Sequence, residues 1–293
     1  ILAIHDLGPG ADLTTDYASG MVGYWTFGNK ITEGTDDAST IYDQSAGSDD
    51  NLTGTSLAAP FAGHTITVTS AIQTTDKSVF GGSSMYFDGT DDRLTITENS
   101  DLKLGGTSAS WTIEFWTYYQ GATSGTADFI VMDHRADTQN NGGWSLHTDI
   151  SAGGLGFDYS DGTSWAAGLQ DPSPSSFMDN RWIHHAVVQH GSTSIQMWRD
   201  GILVDESTSK LMSDNESDAG NGVGLLIGGG YNSSGTISGT HWYTGYLDEI
   251  RITSGVARYS RSIERFANTF VAKGDTGDAF TALQIQSNGA KNG

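Results

Sequence analysis

Apolar and polar positions alternate along this chain in short segments that turn-forming residues separate. An apolar side chain at every second position is typical of a β-strand with one buried face. Pairs such as Asp88-Gly89, Asp161-Gly162 and Asp200-Gly201 mark the turns between segments. Closely spaced strands with few helical patterns predict an all-β fold of two packed antiparallel sheets. The predicted strands are Met21–Phe27, Phe61–Ile72, Ser83–Phe87, Leu94–Ile96, Trp111–Tyr119, Phe129–Met132, Gly143–Thr148, Leu155–Tyr159, Arg181–Gln189, Ser194–Arg199, Ile202–Asp205, Gly222–Gly228 and Gly245–Ile252.

The segment Trp111–Tyr119 (WTIEFWTYY) is the most aromatic of these strands. Its alternation places Trp111, Ile113 and Phe115 on the face that we assign to the core. The opposite face carries Thr112, Glu114, Trp116 and Tyr118. If that face is open, Trp116 and Tyr118 offer flat rings on which a sugar can stack, and Glu114 offers a hydrogen-bond acceptor for sugar hydroxyls. The alternative is that neighbouring loops cover the rings, because large aromatic side chains are usually buried.

The segment Gly245–Ile252 (GYLDEIRI) predicts the closing strand. Regular alternation puts Asp248 on the same side as Ile250 and Ile252, and turns Glu249 and Arg251 to the outside. A buried Asp248 carboxylate then needs a partner, because an unpaired buried charge is strongly destabilising. Backbone amides, an arginine or a metal ion all meet that need.

Composition supports a sandwich with a sizeable core and narrows the range of partners. Apolar residues make up 36% of the 293 residues, and 39 glycines against 4 prolines suit many turns between short strands. The net charge of −21 disfavours binding to nucleic acid or to anionic membranes. The chain has no cysteine, which excludes disulfides and thiolate metal sites. No apolar run is long enough to predict membrane insertion.

Catalytic motifs are absent from the sequence. A glycoside hydrolase needs two carboxylates that flank one bond, and Glu114 has Thr112 and Trp116, not acids, two positions away. Asp248 and Glu249 are adjacent, so regular alternation points them to opposite faces. No G-x-S-x-G, H-E-x-x-H or P-loop motif occurs. We therefore predict no catalytic residues and a protein that is not an enzyme.

Three stretches carry a resemblance to a known family. They are the closing GYLDEIRITSGVARY at Gly245–Tyr259, the W-x-H-x-A pattern of Trp182, His184 and Ala186, and FDGTDDRLTI at residues 87–96. Together they resemble the laminin-G-like, concanavalin A-like jelly-roll domains found in bacteriophage virion and tail-fibre proteins. The resemblance spans about residues 21–270. It implies a two-sheet antiparallel jelly-roll sandwich that binds or decorates.

The resemblance also implies a domain organisation and a function. We expect an N-terminal arm at 1–20, a laminin-G-like sandwich at 21–270, and a C-terminal arm or the start of a further module at 271–293. The implied function is a non-enzymatic virion-associated structural or adhesion protein, of the capsid-decoration or tail-fibre type, at a virion surface or outside cells. Its partners would be cell-surface glycans, other virion subunits, or copies of itself joined through the arms. The alternatives are a carbohydrate-binding module of a secreted bacterial protein and, less favoured, an active glycosidase.

A structural calcium ion is the last expectation. Resembling folds often hold an ion between the first and last strands, which here would join Asp43 to Asp248. Calcium prefers such hard carboxylate oxygens, although the spacing of the acids does not by itself demand an ion. Backbone amides or an arginine beside Asp248 remain the alternative.

Overall fold

The described residues of the chain form seventeen β-strands in a computed structural model. The structure describes residues 66–79, 83–98, 102–120, 129–135, 143–148, 154–161, 163–173, 180–213, 224–232 and 236–259, together with strand segments at 25–26, 42–43 and 281–286. The strands are β1 Trp25–Thr26, β2 Tyr42–Asp43, β3 Ile66–Thr69, β4 Ile72–Thr74, β5 Ser84–Asp88, β6 Arg93–Ile96, β7 Trp111–Tyr119, β8 Phe129–Arg135, β9 Gly143–Thr148, β10 Leu155–Ser160, β11 Trp165–Gln170, β12 Trp182–His190, β13 Ser194–Arg199, β14 Ile202–Ser207, β15 Leu225–Ile227, β16 Thr244–Ser254 and β17 Thr281–Gln286. Among the described residues, no helix is long and apolar enough to cross a membrane.

The strands form two sheets. The first sheet has ten strands in the order β14-β13-β12-β7-β16-β17-β1-β2, with β5 paired to β16 and β4 paired to β5. The second sheet has seven strands in the order β11-β10-β9-β8-β15-β6-β3. Almost all pairs are antiparallel, and the pair of β1 with β17 is parallel. The predicted all-β, two-sheet antiparallel sandwich is confirmed.

One hydrophobic core lies between the sheets. Trp111, Ile113 and Phe115 of β7 are fully buried in it, as the alternation predicted. From the second sheet, Trp144 and Phe157 pack near the same layer, with ring centroids 6.1 Å apart. The residues of β7 that alternate with these core residues therefore point away from the interior of the sandwich.

Strand β16 contains a bulge that the regular alternation missed. Opposite β7, Asp248 pairs with Trp116 and Arg251 pairs with Glu114, so two residues of β16 oppose one residue of β7. Glu249, within the bulge, has φ of 52°, a left-handed conformation that is uncommon for a residue with a side chain. The extra residue puts Asp248 and Arg251 on the outer face of the sheet.

The prediction that Asp248 shares a side with Ile250 and Ile252 is therefore wrong. Both isoleucines belong to the core between the sheets, whereas Asp248 lies on the other face. Arg251 does lie on the outer face, as predicted, but it is buried there; Glu249 lies within the bulge and is also buried, so the two side chains do not face solvent together.

Strand β17 comes from the segment predicted as a C-terminal arm. It pairs with β16 from Ile250 to Thr253 and with β1 of the same chain. This part of 271–293 therefore belongs to the chain's own first sheet. The N-terminal arm predicted at 1–20 lies outside the described residues, and association through the arms stays a prediction.

Candidate functional site

Four aromatic residues line up across neighbouring strands on the outer face of the first sheet. Tyr118 of β7 pairs with Trp182 of β12 on one side and with Tyr246 of β16 on the other. Tyr246 in turn pairs with Tyr86 of β5. Directly opposed residues on one face of a sheet bring their side chains into contact. We call these four residues the aromatic row: Tyr86, Tyr246, Tyr118 and Trp182.

The rings of the aromatic row touch their neighbours in sequence. The centroids are 5.0 Å apart between Tyr86 and Tyr246, 5.8 Å between Tyr246 and Tyr118, and 5.5 Å between Tyr118 and Trp182. The last two contacts are edge-to-face, a favourable geometry for aromatic pairs. Three of the rings are half-buried and Tyr246 is buried, so part of the row reaches the surface.

Trp116 lies one pleat further along β7, on the same face as Tyr118. Its partner across the strands is His184 of β12, with ring centroids 5.2 Å apart. Trp116 is half-buried, as is Tyr118. The structure thus brings together the two predicted stacking residues, and both keep accessible surface.

A loop that follows β4 forms one wall of this face. The Val79 backbone amide donates to the Asp248 carboxylate at 2.9 Å, and the Ser84 hydroxyl donates to the Lys77 carbonyl at 2.7 Å. These bonds hold the Lys77 ammonium 4.6 Å from the centroid of the Tyr118 ring and 5.9 Å from that of Tyr246. A cation over an aromatic face is attracted by the negative charge density of the ring.

Glu114 does not lie on the open part of the face. Its side chain is 0% exposed, and its two oxygens bind the Arg251 guanidinium, at 2.5 Å, and the Tyr259 hydroxyl. We predicted that Glu114 accepts hydrogen bonds from a sugar, but the structure places its oxygens beneath protein atoms. Burial raises the pKa of Glu114, but the charge of Arg251 and the nearby His184 outweigh it and hold that pKa well below its usual range.

The residues after β16 cover Glu114. We call 255–259 the strap, because it folds back across the outer face of the first sheet. The Thr112 hydroxyl donates to the Val256 carbonyl at 3.0 Å and accepts from the Arg258 amide at 3.0 Å. Tyr259 packs with Trp198 and other apolar residues in a second, smaller hydrophobic cluster. The G-V-A-R-Y motif that carried the resemblance is therefore a covering element.

Asp248 has backbone partners. Its two oxygens accept from the amides of Val79, at 2.9 Å, and Glu249, at 3.0 Å. Asp43 lies in β2, and β17 and β1 stand between β2 and β16. Strands in a sheet are about 4.8 Å apart, so three spacings separate the two backbones by roughly 14 Å. The two backbones are therefore well separated along the sheet, and a structural calcium ion shared by Asp43 and Asp248 stays a prediction.

A second group of acids lies in the turn after β5. Carboxylate oxygens of Asp88, Asp91 and Asp92 lie within 4.8 Å of one another. Asp92 accepts from the Asp88 amide at 2.7 Å, and Asp88 accepts from the Thr90 amide at 2.7 Å. Burial raises the pKa of Asp92. These bonds show that the carboxylates of Asp88 and Asp92 stabilise a tight turn.

Four residues of this face were not predicted as members of the site: Trp182, Tyr246, Tyr86 and Lys77. Trp182 appeared only as part of a family pattern, and Tyr246 only as one position in an alternation. Their common position depends on which strands are neighbours and in which register, and a single sequence does not state either. The available signal was that the predicted strands Ser83–Phe87, Arg181–Gln189 and Gly245–Ile252 each carry an aromatic residue near one end.

Comparison with known proteins identifies the family. No curated protein matches the chain. Residues 88–259, more than half of the chain, match the Laminin_G_3 model of the concanavalin A-like lectin/glucanases superfamily. The matched region lies within the sandwich predicted at 21–270.

Solved structures resemble the chain at low identity. The binding domain of Paraclostridial Mosquitocidal Protein 1 is 12% identical, with a TM-score of 0.51 over 81% of this chain and 49% of its own. The botulinum neurotoxin serotype D ligand-binding domain, solved with N-acetylneuraminic acid, is 10% identical, with a TM-score of 0.50 over 82% and 48%.

The chain thus spans about half the length of these toxin domains. Domain 4 of AbnA, a GH43 extracellular arabinanase from Geobacillus stearothermophilus, was solved with arabinotriose. It is 16% identical, with a TM-score of 0.46 over 68% of this chain and 85% of that domain. The family match and the two-sheet fold agree, and the chain belongs to the concanavalin A-like lectin/glucanases superfamily.

Proposed function

We propose that the chain is a non-enzymatic glycan-binding protein that holds sugar rings against the aromatic row and Trp116. The observation that carries this proposal is the row itself, because four aromatic side chains in cross-strand register form a surface wider than one sugar ring. The flat rings present apolar faces, and their hydroxyl and N–H groups are polar. A sugar has apolar faces and polar hydroxyl groups at its edge, so the two surfaces are complementary. The neurotoxin domain solved with N-acetylneuraminic acid is consistent with sugar binding by a protein that contains this fold.

The buried carboxylates favour binding over catalysis. Glycoside hydrolysis needs one carboxylic acid and one carboxylate on either side of a bond. Glu114 is enclosed by Arg251 and Tyr259, and Asp248 accepts two backbone hydrogen bonds. All four carboxylate oxygens of Glu114 and Asp248 are therefore bonded to protein atoms and are not available to a sugar on the aromatic row.

The biological setting is the finer part of the proposal. The closing motif and the W-x-H-x-A strand resemble those of bacteriophage structural proteins, and on that basis we place the chain on a virion as a decoration or fibre protein. Antibody labelling of purified particles in electron micrographs tests this setting. Label on capsids or fibres supports it, and label confined to soluble secreted material contradicts it and favours a carbohydrate-binding module.

A glycan array followed by calorimetric titration tests the binding function. We expect saturable binding to a subset of oligosaccharides and at least about a tenfold loss of affinity in Tyr118→Ala and Trp182→Ala, about 1.4 kcal/mol. Trp165→Ala is the matched control, because Trp165 is also half-buried but lies at an edge of the second sheet. Equal affinity in all four proteins, or no binding to any glycan, would contradict the proposal.

A further inference from the structure

Lys77 is an ammonium group fixed on the candidate binding face. The loop that carries it is tied down at two buried points, the Ser84 hydroxyl and the Asp248 carboxylate. The Lys77 ammonium lies over Tyr118, at 4.6 Å from its centroid. The loop therefore borders the aromatic row and places one positive charge over the Tyr118 ring.

The charge environment of Lys77 is unusual for this chain. Acidic residues outnumber lysine and arginine by 35 to 14. Even so, Lys77 forms no ion pair among the described residues. Its ammonium group instead contacts the rings of Tyr118 and Tyr246. Of the nearby acids, Asp248 accepts amide hydrogen bonds from Val79 and Glu249, and the side chain of Asp76 is exposed.

An ammonium group has three hydrogen-bond donors and no acceptor. A ring face attracts its charge but does not satisfy those donors in the way that an anionic oxygen does. A carboxylate or sulfate on a sugar stacked beside Tyr118 would lie within reach of this group. Burial raises the pKa of the Tyr246 hydroxyl, Asp76 raises it further and Lys77 lowers it, so the charges of both side chains act on Tyr246.

From this placement we infer that the aromatic row selects glycans that carry an anionic substituent, a carboxylate or a sulfate, and that Lys77 binds that substituent. The inference rests on the proposed glycan-binding function and adds the class of ligand. It names Lys77 as the specificity-determining residue, whereas Tyr118 and Trp182 supply affinity that does not depend on ligand charge.

Matched ligand pairs that differ in charge test the inference. Trigalacturonate against its methyl ester probes a carboxylate, and 6-sulfated lactose against lactose probes a sulfate. We expect the wild-type protein to bind the charged member of at least one pair about tenfold more tightly at low salt. The preference should shrink as salt is added, because mobile ions screen exposed charges.

Substitutions at Lys77 separate this inference from the function on which it rests. Lys77→Gln should abolish the preference for the charged member of the pair, whereas Lys77→Arg should retain it. Lys210→Gln, which removes an exposed lysine elsewhere, is the control. Neutral and charged members bound equally by the wild type, or a preference that survives in Lys77→Gln, would overturn the role of Lys77 but leave glycan binding in place. Failure of every ligand to bind would overturn both.

Discussion

Glu114 illustrates how the environment of a residue decides its role. Its position in an aromatic strand resembles that of a ligand-binding carboxylate, and its side chain does lie on the same face as Trp116 and Tyr118. The strap and Arg251 enclose it, however, and make it the centre of a buried ion pair. Alternation in the sequence predicts the face of a residue but not what covers that face. It therefore placed Glu114, Trp116 and Tyr118 on one face and left open which of them neighbouring segments would bury.

Replacement of Glu114 by glutamine should destabilise the fold. The substitution leaves the Arg251 guanidinium, which is 3% exposed, without its counter-charge. Breaking a buried pair in this way typically costs about 3–5 kcal/mol. Urea unfolding measures the loss, and Asp91→Asn, an exposed acid, should change the free energy of unfolding by less than about 0.5 kcal/mol. A cost for Glu114→Gln no larger than that of the control would contradict the buried-pair account.

His185 makes the stability depend on pH. Burial, with the nearby charges of His184 and Arg199, lowers the pKa of His185 from 6.5 to about 3. Between those values the unfolded chain binds the proton and the folded chain does not. Stability should therefore fall as the pH drops from 6.5 towards 3, with a slope of up to about 1.4 kcal/mol per pH unit from this one group.

Glu114 contributes in a lower pH window. Its pKa is depressed in the folded protein, so its stabilising effect is lost only as the pH falls below its ordinary value of 4.5. Unfolding curves between pH 6.5 and 4.5 thus lie above the window of Glu114. His185→Gln should flatten the dependence in that range, and an unchanged slope in this variant would assign the effect to another group.

At the scale of elements, β16 and the strap act together. The strand was predicted from its alternation, and its existence and approximate bounds are confirmed. The bulge was not predicted, although the alternation breaks at this point, where the polar residues Asp248 and Glu249 stand next to each other. The insertion of one extra residue reverses the faces beyond it. This reversal brings Arg251 to the same face as Glu114.

Tyr259 fastens the strap, and its hydroxyl is the element-scale test. Tyr259→Phe removes a hydrogen bond to the charged Glu114 while it keeps the ring that packs in the second cluster. We expect a loss of about 1.5–3 kcal/mol in the free energy of unfolding. Tyr86→Phe removes a hydroxyl that has no hydrogen-bond partner among the described residues, and it should have little effect. Equal effects of the two substitutions on urea unfolding would contradict the fastening role.

At the scale of the whole molecule, the two-sheet sandwich followed from the sequence because strand spacing, turn residues and composition all indicated it. The order of the strands could not be predicted in this way, because one edge of β16 pairs with β5 along one half and with β17 along the other. That arrangement joins segments far apart in the chain. The aromatic row depends on it, because Tyr86, Tyr246, Tyr118 and Trp182 come from four strands that only the topology makes adjacent.

The most direct test of glycan binding by this face uses the indole N–H signals of the isotope-labelled protein in NMR. Titration with an oligosaccharide that the protein binds should shift the signals of Trp116 and Trp182, and both shifts should fit one dissociation constant. Those of Trp111 and Trp144, which are buried in the core, should stay in place. Saturable shifts at Trp165 in the second sheet, with none at Trp116 or Trp182, would contradict the account.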